Sequence, residues 1–515
     1  MKIERIAILD YGSQYTQLIA RRIREEKVYS EIVRYDTSAA ALREMGVKGV
    51  ILSGGPSSVF EPGAPQIDPE IFSLGVPVLG ICYGMQLMSQ TLGGEVVPGE
   101  SREYGKCELS VGAAPVSPLF AGVPASSIVW MSHGDRVSRL PEGFETVATS
   151  ANCPFAGVQN LSRRLFAIQF HPEVVHSQYG AAILRNFLFG VCNCRGDWRL
   201  EDWIGEAVEK ARAQIGGDEV VLGLSGGVDS SVVAVLLHRA IGTRLHCIFV
   251  DNGLLRHNEA EEVERMFRDK LGLDLHVARA AERFYAALAG VEEPEAKRKI
   301  IGREFINVFA EEARRFKHCR FLAQGTIYPD VIESSAAVKG PSQTIKSHHN
   351  VGGLPPDLKF ELVEPLRDLF KDEVRAVGRV LGMDSALLDR QPFPGPGLGV
   401  RIIGEVTPEK VRLLQQADLR VQEEVRKLPD YKTIWQTFAV LLPVRSVGVM
   451  GDQRTYEYTC AIRSVNSIDA MTADWTRLPY ETLEAMSSRI INEVRGINRV
   501  VYDISSKPPA TIEWE

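Results

Sequence analysis

Short apolar, β-branched runs that end in glycine-rich turns and alternate with helical patterns constrain this chain more than any other feature. Three such runs, Ile6–Leu9, Gly49–Leu52 and Val76–Ile81, fall before about residue 190, and the alternation restarts at Val220–Leu224 and Leu245–Val250. Runs of this kind are typical of parallel strands whose two faces are both covered by helices. The sequence therefore predicts an α/β fold with two successive α/β domains of mainly parallel sheets.

The pattern changes after about residue 390. The segment Gln391–Val400 holds three prolines and three glycines, which break all periodicity. Thr407 and Pro408 then supply the N-cap and first position of a predicted helix, and apolar strands and a second helix follow. We predict three domains, 1–192, 193–390 and 391–515, of which the last is a smaller α+β domain.

Composition narrows the class of protein. The 515 residues are 45% hydrophobic and 24% charged, and 59 Lys and Arg against 66 Asp and Glu give a net charge of -7. This balance argues against a general nucleic-acid binder. No apolar run reaches membrane-spanning length, and eight scattered cysteines are too few for a disulfide scaffold. We expect a cytoplasmic protein with no nucleic-acid or membrane partner.

The first candidate site centres on Cys82. The stretch Gly80-Ile81-Cys82-Tyr83-Gly84 joins an apolar run to the helical pattern Met85–Leu92. A strand, a sharp turn flanked by glycines and a helix make a nucleophile elbow, here with cysteine in place of serine. The helix N-terminus would favour the thiolate. The alternative interpretation is a small buried core cysteine.

Two further elements support a catalytic interpretation. Pro172 keeps His171 extended, so His171 and Glu173 project to the same side and the carboxylate can orient the imidazole. With Cys82 they supply a nucleophile, a base and an orienting group. The backbone N–H groups of Gly55, in Ser53-Gly54-Gly55-Pro56, and of Tyr83 could form an oxyanion hole. Taken singly, these motifs also fit a strand end and a tight turn.

With these motifs, GICYGMQ, SGGP and FHPE, the first segment resembles the class I (triad) glutamine amidotransferases. The resemblance implies that Cys82 attacks the side-chain amide of glutamine. A glutamyl thioester then forms, ammonia departs, and water releases glutamate.

The second candidate site is a loop between the run Val220–Leu224 and a helix. Its glycines let backbone N–H groups approach an anion, its serines add hydroxyl donors, and the helix N-terminus adds a favourable potential. An aspartate beside an anion is unexpected unless it binds a metal such as Mg²⁺ or orients the loop. The predicted ATP-binding residues are Ser225, Gly226, Gly227, Val228, Asp229, Ser230, Ser231 and Val250, with Asp229 also the candidate magnesium ligand.

The residues of this loop exclude two other nucleotide-binding motifs and leave one other interpretation open. The chain holds neither GxxxxGK[ST] nor GxGxxG, so neither a Walker loop nor a dinucleotide fingerprint is indicated. Gly223–Gly227 satisfies GxSxG, which leaves a serine hydrolase with Ser225 as nucleophile as an alternative. Val250-Asp251-Asn252-Gly253 could equally be a turn built on Asn-Gly.

The stretch SGGVDSS resembles the loop of the N-type ATP pyrophosphatases. These enzymes adenylate an oxygen of the substrate and release pyrophosphate, so the loop would hold the leaving group. A glutaminase joined to such a domain implies that ammonia displaces AMP from an activated acceptor.

Over its whole length the chain resembles the glutamine-hydrolysing GMP synthase family, through GTIYPD, IKSHHNVGGLP, PFPGPGLG, LLPVRSVGVMGD and SKPPATIEWE. The resemblance implies that the 2-oxo group of XMP is adenylated and aminated to GMP, and that the last domain forms a homodimer. It assigns XMP contacts to Arg298, Pro394, Gly395, Gln436, Lys507 and Glu513, and a lid over ATP to Asp330, Lys346 and His348.

Some of these residues also fit other interpretations. The basic triplet Lys297-Arg298-Lys299 could be a solvated helix face, and the segment from Ser506 to Trp514 could be a terminal strand tied to the core. The acceptor could be another molecule, such as deamido-NAD. A nucleic-acid-modifying enzyme or a partner-binding protein without catalysis fits the residues less well.

Overall fold

The computed structural model describes residues 4–114, 117–331, 360–450, 453–467 and 472–515. The chain divides into two compact units, Met1–Asp202 (unit 1) and Trp203–Glu515 (unit 2). The predicted boundaries at residues 192 and 390 stay predictions.

Unit 1 is built on a nine-stranded sheet with the order β2-β1-β3-β4-β9-β8-β7-β5-β6. Its strands are β1 (Arg5–Asp10), β2 (Tyr29–Arg34), β3 (Gly49–Leu52), β4 (Val78–Ile81), β5 (Glu95–Val111), β6 (Ser126–Arg139), β7 (Glu145–Ser150), β8 (Gly157–Asn160) and β9 (Leu165–Ile168). Its helices are α1 (Thr16–Glu25), α2 (Ala39–Met45), α3 (Tyr83–Thr91) and α4 (Gly180–Arg185), the last continued by a π-helical turn at Asn186–Val191.

The parallel part of this sheet follows from the apolar runs. Strands β2, β1, β3, β4 and β9 pair in parallel, and every residue of β3, β4 and β9 is buried. The remaining pairs, from β9–β8 to β5–β6, are antiparallel. The elbow motif and the His-Pro-Glu motif follow β4 and β9, which are neighbours, so both leave the sheet at its carboxyl edge.

Unit 2 holds a parallel five-stranded sheet, order β12-β11-β10-β13-β14, and a four-stranded sheet. Its strands are β10 (Glu219–Leu224), β11 (Leu245–Asp251), β12 (Asp274–Arg279), β13 (Cys319–Ala323), β14 (Glu361–Val363), β15 (Gln436–Met450), β16 (Gln453–Asn466), β17 (Asp474–Trp475) and β18 (Ile497–Asp503). Its helices are α5 (Leu200–Ile215), which begins at the unit boundary, α6 (Val228–Ile241), α7 (Glu259–Glu264), α8 (Ala281–Leu288), α9 (Pro294–Ala313), α10 (Lys371–Val380), α11 (Ser385–Leu388), α12 (Pro408–Val425) and α13 (Tyr480–Glu493).

The two sheets of unit 2 share one hydrophobic core. The same cluster of buried side chains contains Val221 and Ile248 of the parallel sheet, Leu398 of the proline- and glycine-rich segment, and Leu441 and Ile462 of the second sheet. That second sheet is an antiparallel hairpin, β15–β16, flanked by β17 and by β18, which runs parallel to β16. The predicted fold class, two successive α/β regions with mainly parallel sheets followed by a smaller α+β region, is confirmed.

The longest helices among the described residues carry charged side chains along their length. Within those residues, none combines the length and the apolar character needed to cross a bilayer.

Candidate active sites

The turn at Cys82 has the backbone strain of a nucleophile elbow. Cys82 has φ 52° and ψ -107°, in a region that non-glycine residues rarely adopt, and α3 begins at the next residue. A Cβ atom at Gly80 would lie 2.7 Å from the carbonyl oxygen of Gly84, and one at Gly84 would lie 2.4 Å from that of Leu52. Both flanking glycines are therefore required by close backbone approach.

The candidate base lies beside this turn. The Cys82 N–H donates to the carbonyl of Ile168, the last residue of β9, and His171 follows three residues later. The Nδ1 atom of His171 lies 2.7 Å from Oε1 of Glu173, and both side chains are buried. The hydrogen bond expected within the His-Pro-Glu motif is thus present, with Nδ1 donating to the carboxylate.

The electrostatics of this pair favour the imidazolium. Burial alone lowers the pKa of His171, but the Glu173 carboxylate and the neighbouring Cys82 outweigh it and raise that pKa to about 11. The backbone of His171 is fixed from both sides, because its N–H donates to the carbonyl of Trp130 and its carbonyl accepts from Oγ of Ser177 at 2.6 Å. These two bonds fix the position of the His171 backbone, and the imidazole lies close enough to Cys82 for the two groups to influence each other's charge.

The predicted oxyanion donors lie around the same turn. Tyr83 is the first residue of α3, so its N–H has no partner within the helix. A Cβ atom at Gly55 would lie 2.7 Å from the carbonyl oxygen of Tyr11 and 3.3 Å from Cγ of Tyr83. Gly55 therefore packs against Tyr83, and a larger residue would not fit there.

A buried histidine and glutamate, His133 and Glu103, lie next to the strand residue that contacts Cys82, and no motif in the sequence predicts them. Nδ1 of His133 lies 3.0 Å from the carbonyl oxygen of Asp135, and Nε2 lies 3.0 Å from Oε2 of Glu103. A carbonyl only accepts, so Nδ1 donates its proton to Asp135, and Nε2 lies within hydrogen-bond distance of the Glu103 carboxylate. Burial lowers the pKa of His133, although Glu103 opposes that effect.

This pair fixes the strand segment that contacts the candidate nucleophile. The Cys82 thiol lies 3.5 Å from the carbonyl oxygen of Ser132, the residue before His133. Nε2 of Gln86, on α3, donates at 2.8 Å to the Asp135 carbonyl. Only strand pairing brings Glu103 of β5 to His133 of β6, and their spacing in the sequence carries no signal.

In unit 2, the loop SGGVDSS joins β10 to α6 as predicted, and its serines order it. Oγ of Ser230 lies 2.9 Å from Oγ of Ser225 and 3.2 Å from the carbonyl oxygen of Gly227. Oγ of Ser231 donates to the same carbonyl at 2.6 Å. Gly226 has φ 73°, which allows the turn. Val228 is the first residue of α6, so the loop presents a helix N-terminus.

Asp229 has a lysine partner that the sequence did not predict. Nζ of Lys371, the first residue of α10, donates to Oδ2 of Asp229. Oδ1 of Asp229 is buried and accepts no hydrogen bond within the described residues. Half of this carboxylate is thus available to a further cation. The hydrogen-bond partners of Oγ of Ser225 in the described chain include no histidine, which argues against a serine hydrolase.

The structure also places Val250 and Asp330, two further residues of the predicted ATP site. Val250 is buried near the carboxyl end of β11, and Asn252 forms the turn that was the alternative interpretation, because its Oδ1 accepts from Leu254 N–H at 2.8 Å. Oδ2 of Asp330 accepts from the N–H of Ile327. The other two predicted lid residues, Lys346 and His348, lie outside the described residues.

Two of the residues predicted to contact XMP, Gln436 and Glu513, are hydrogen-bonded to each other. Nε2 of Gln436 donates to Oε1 of Glu513 at 2.9 Å and to the carbonyl of Pro392 at 3.0 Å. Arg401, which no sequence motif marks, donates two hydrogen bonds of 3.0 and 2.9 Å to the same carboxylate. Its guanidinium lies over the ring of Phe438, 3.9 Å from the centroid.

The three basic residues on α9, Lys297, Arg298 and Lys299, differ in burial. Lys297 is fully buried, and its Nζ donates to the Ile402 carbonyl at 2.7 Å and to Oε2 of Glu515 at 2.5 Å. Arg298 donates to the backbone carbonyl of Glu515. Lys299 is exposed and lies 3.8 Å from Glu295. The solvated-face interpretation therefore holds for Lys299 and fails for Lys297.

For Pro394 and Lys507, two of the remaining residues predicted to contact XMP, the structure gives backbone hydrogen bonds. The Pro394 carbonyl accepts from the Gly397 N–H at 2.9 Å, and a Cβ atom at Gly395 would meet open space. Lys507 pairs through its backbone with Ala473. Among the residues predicted to contact XMP, Gln436 bonds to Glu513, and Arg298 bonds to the carbonyl of Glu515.

The segment 505–515 is tied to the core of unit 2. Arg463 is fully buried and donates to the carbonyl oxygens of Ser505, Thr511 and Ile512 at 2.5, 2.9 and 3.4 Å. Together with Arg401 and Lys297, it makes three buried cations whose acceptors lie in this segment. The segment is thus bound to the core, as the alternative interpretation of its sequence expected. The same contacts hold Glu513, one of the residues predicted to contact XMP.

Comparison with protein families matches three profiles to successive parts of the chain. The profile described as glutamine amidotransferase class-I matches residues 7–191, and the NAD synthase profile matches residues 198–302. The profile described as GMP synthase C terminal domain matches residues 423–514.

Relatives match at full length. A protein from Brachyspira hyodysenteriae named GMP synthase (glutamine-hydrolyzing) is 55% identical over 513 residues, which cover 100% of this chain and 99% of the relative. One of the same name from Geobacillus kaustophilus is 56% identical over 515 residues, covering 100% of both. One from Enterococcus faecalis is 56% identical, with 100% and 98% covered. The chain therefore belongs to the glutamine-hydrolysing GMP synthase family.

Proposed function

We propose that this chain makes GMP from XMP, with glutamine as the nitrogen donor and ATP as the activating substrate. The observation that carries the proposal is the full-length identity of 55–56% to proteins named glutamine-hydrolysing GMP synthase. The enzyme is a carbon–nitrogen ligase. A second acceptor, deamido-NAD, has one observation in its favour, the NAD synthase profile, but that profile ends at residue 302.

The first half-reaction takes place at the cysteine of the elbow. Cys82 passes its proton to Nε2 of His171, and the thiolate attacks the side-chain carbonyl carbon of glutamine. The N–H groups of Gly55 and Tyr83 receive the developing negative charge on oxygen. His171 then donates its proton to the departing ammonia, which leaves a glutamyl thioester. Water deprotonated by His171 hydrolyses the thioester, and glutamate is released.

The second half-reaction uses the loop from Ser225 to Ser231. The 2-oxo oxygen of XMP attacks the α-phosphorus of ATP, and pyrophosphate leaves into the loop and the N-terminus of α6. Ammonia attacks the activated carbon, AMP leaves, and loss of a proton gives GMP. Support for this role comes from the donors that the loop presents, the N–H groups around Gly226 and Gly227 and the hydroxyl groups of its serines.

We propose that Asp229 contributes to a magnesium site beside the polyphosphate. Its buried Oδ1, which accepts no hydrogen bond in the described chain, fits a cation that keeps several waters and takes one or two carboxylates. When bound, magnesium would neutralise charge on the phosphates. Activity with ammonium salts should therefore disappear in excess EDTA and return with added Mg²⁺. Full activity in EDTA would remove this assignment.

We propose that the XMP site is built around Arg298, Pro394, Gly395, Gln436, Lys507 and Glu513. Two of these, Gln436 and Glu513, already bond to each other. Glu513 is oriented by Arg401, so it presents a fixed acceptor to the purine or ribose of a nucleotide. We assign Asp330, Lys346 and His348 to a lid over ATP by resemblance to the family.

A homodimer formed through the last region of the chain is also proposed. Exposed apolar side chains concentrate on the β15–β16 hairpin, where Val447 and Val449 lie on one strand and Tyr456 pairs with Val447 across it. Such a stripe is typical of a protein interface. Light scattering should give twice the mass of one chain; the mass of a single chain would contradict the dimer. A cytoplasmic location, where ATP and nucleotides are available, completes the proposal.

The test of function supplies glutamine, ATP, Mg²⁺ and XMP to the full chain and identifies the products. GMP, AMP, pyrophosphate and glutamate are expected. Formation of ADP and phosphate, or amidation of deamido-NAD without GMP synthesis, would overturn the assignment.

Cys82→Ala separates the two half-reactions. The variant should lose glutamine-driven synthesis entirely and keep synthesis from ammonium salts, because the nucleophile is gone and the nucleotide site is intact. Cys153→Ala, which removes another buried thiol of unit 1, is the matched control and should keep both activities. Joint loss of both activities in Cys82→Ala, with the control active, would mean that the glutaminase is not a separable ammonia source.

A further inference from the structure

Four strands of the parallel sheet in unit 2 begin with side chains that commonly bind metals. Glu219 is the first residue of β10, Cys319 the first of β13 and Asp274 the first of β12, while His246 is the second of β11. Amino ends of parallel strands meet at one edge of a sheet, so these side chains converge. None of them has a role in the proposed reaction.

This edge is remote from the nucleotide loop. The loop leaves β10 at Leu224, five residues after Glu219. At about 3.3 Å per residue, the two ends of the strand are roughly 17 Å apart. The cluster therefore cannot contribute to the magnesium site proposed at Asp229.

Three potential ligand atoms converge around His246. Ligand atoms of Glu219, His246 and Cys319 all lie within 4.8 Å of one another. Nε2 of His246 lies 3.5 Å from Oε2 of Glu219. Zinc bonds of about 2.0 to 2.3 Å in a tetrahedron imply separations of roughly 3.3 to 3.8 Å between ligand atoms. Side-chain movements of about 1 Å would bring this group to that geometry.

The other nitrogen of His246 is already fixed. Nδ1 lies 2.6 Å from Oδ2 of Asp274 and donates its proton to that carboxylate. A histidine that binds a metal usually donates its other ring N–H to a carboxylate in this way, which sets its tautomer. The ring of Phe316 stacks on the imidazole, with centroids 4.5 Å apart, and restricts its rotation.

This tautomer leaves an unsatisfied group. With the proton on Nδ1, Nε2 presents a lone pair; it is buried and makes no hydrogen bond within the described residues. That lone pair and the Glu219 carboxylate then face one another beside the Cys319 thiol, with no positive charge among the three groups. A cation resolves that repulsion, and imidazole nitrogen, thiolate and carboxylate together are the ligand set of zinc and its neighbours, not of magnesium or calcium.

We propose that Glu219, His246 and Cys319 bind one divalent transition-metal ion of the zinc class, with Asp274 orienting the histidine. The ion joins the starts of β10, β11 and β13 and leaves one coordination position open. It acts as a clamp on the sheet that carries the nucleotide loop at its other edge. A proton on His246 in place of the metal is the competing state that an experiment must separate.

Cobalt(II) added to the metal-free full chain is the direct probe. One equivalent should give visible bands of a four-coordinate site and a near-ultraviolet charge-transfer band from thiolate sulfur to cobalt, and zinc should abolish both. Cobalt at the oxygen-rich magnesium site would give no thiolate band. The absence of a thiolate band in the wild-type protein would overturn the proposal and leave the protonated His246 as the state of the cluster.

Variants test the ligands one at a time. Cys319→Ser should lose the charge-transfer band, and His246→Gln should weaken cobalt binding at least tenfold, while ammonium-driven GMP synthesis continues in both. Cys107→Ser and His318→Ala are matched controls; Cys107 also lies beside a carboxylate, at 3.9 Å, and His318 is the exposed neighbour of Cys319. A band that persists in Cys319→Ser, or disappears equally in a control, would refute the site. Should Cys319→Ser fail to fold, the result with His246→Gln decides.

Discussion

The two candidate active sites hold their reactive groups in different ways. In unit 1 the backbone carries much of the arrangement: Cys82 has a positive φ, and two glycines touch backbone carbonyls too closely for any side chain. In unit 2 the side chains hold one another. Asp229 pairs with Lys371, and Glu513 is held by Arg401 and Gln436.

This difference matches the two kinds of chemistry. Covalent attack by a thiolate needs reacting atoms placed within a fraction of an ångström, and a strained turn supplies that precision before substrate arrives. Nucleotide binding needs charges that remain satisfied while the site is empty, because an unpaired buried charge is costly. We therefore expect that small backbone displacements abolish the activity of unit 1, and that loss of a buried charge destabilises unit 2.

The largest effect is expected from the backbone of unit 1. In Gly84→Ala the new Cβ atom would lie 2.4 Å from the carbonyl oxygen of Leu52, so the turn at Cys82 must shift. A displacement of about 1 Å at a reacting group costs roughly 100-fold in rate, and this clash demands at least that. Glutamine-driven synthesis should fall at least 100-fold, measured against unchanged synthesis from ammonium salts.

Gly190→Ala is the control for that substitution. A Cβ atom at Gly190 meets no heavy atom within 4 Å, and its φ is not in the left-handed region. Its glutamine-driven rate should equal that of the wild-type protein. Wild-type activity in Gly84→Ala would show that the turn at Cys82 tolerates displacement. It would contradict the claim that backbone geometry positions the reactive groups of unit 1.

The next effect concerns charge in unit 2. Lys297→Met leaves the Glu515 carboxylate without its partner, where the lysine side chain is 0% exposed and the carboxylate 5%. Breaking a buried pair in this way destabilises by about 3 to 5 kcal/mol. Denaturant unfolding of the variant should show that loss in unit 2.

A neighbouring lysine on the same helix provides the matched control. Lys299 is 74% exposed, and its pair with Glu295 spans 3.8 Å. Surface pairs of this kind contribute about 0 to 1 kcal/mol, so Lys299→Met should unfold close to the wild-type midpoint. Equal destabilisation by the two substitutions would refute the claim that buried charge is what holds unit 2.

The smallest effect is expected from Glu173→Gln, which removes a charge in unit 1 and keeps the hydrogen bond. In Glu173→Gln the amide oxygen can still accept from Nδ1 of His171, but the carboxylate that raises the pKa of His171 is lost. Glutaminase activity should fall about tenfold, as for loss of about 1.4 kcal/mol from a charged hydrogen bond. Because the pKa of His171 falls, the imidazolium that protonates the leaving ammonia is lost at lower pH, and the alkaline limb of the rate profile moves toward neutrality.

The rate of glutamate release measured across pH tests this sign. Glu44→Gln, an exposed glutamate on α2, is the control and should leave the profile in place. A limb that moves to higher pH, or does not move, would show that Glu173 does not raise the pKa of His171 in the working enzyme.

The sequence predicted the parts of the structure that depend on local pattern. Apolar runs predicted the parallel strands because strands buried on both faces must be apolar, and the bond between His171 and Glu173 followed from the backbone around Pro172. Predicted strands and observed strands differ by only a few residues, as at Val76, where β4 begins two residues later.

What the sequence did not predict depends on contacts between distant segments. Lys371 reaches Asp229 across 142 residues, and Arg401 reaches Glu513 across 112. Residues so far apart form no short motif, so neither contact can be predicted from the sequence around it. Burial also separates Lys297 from Lys299 on one helix, and only the packed structure shows which of the two faces the core.

The three buried cations of unit 2 have a consequence for the order of folding during translation. Arg463, Arg401 and Lys297 find acceptors in residues 505–515, which leave the ribosome after the rest of the unit. Until then Arg401 and Lys297 lack the carboxylates of Glu513 and Glu515. A buried charge without such a partner costs about 3 to 5 kcal/mol. Unit 1 can complete its sheet early in synthesis, whereas the nucleotide-binding unit gains its full stability only once these residues emerge. Glutaminase chemistry could thus be assembled on a nascent chain before the chain can use the ammonia.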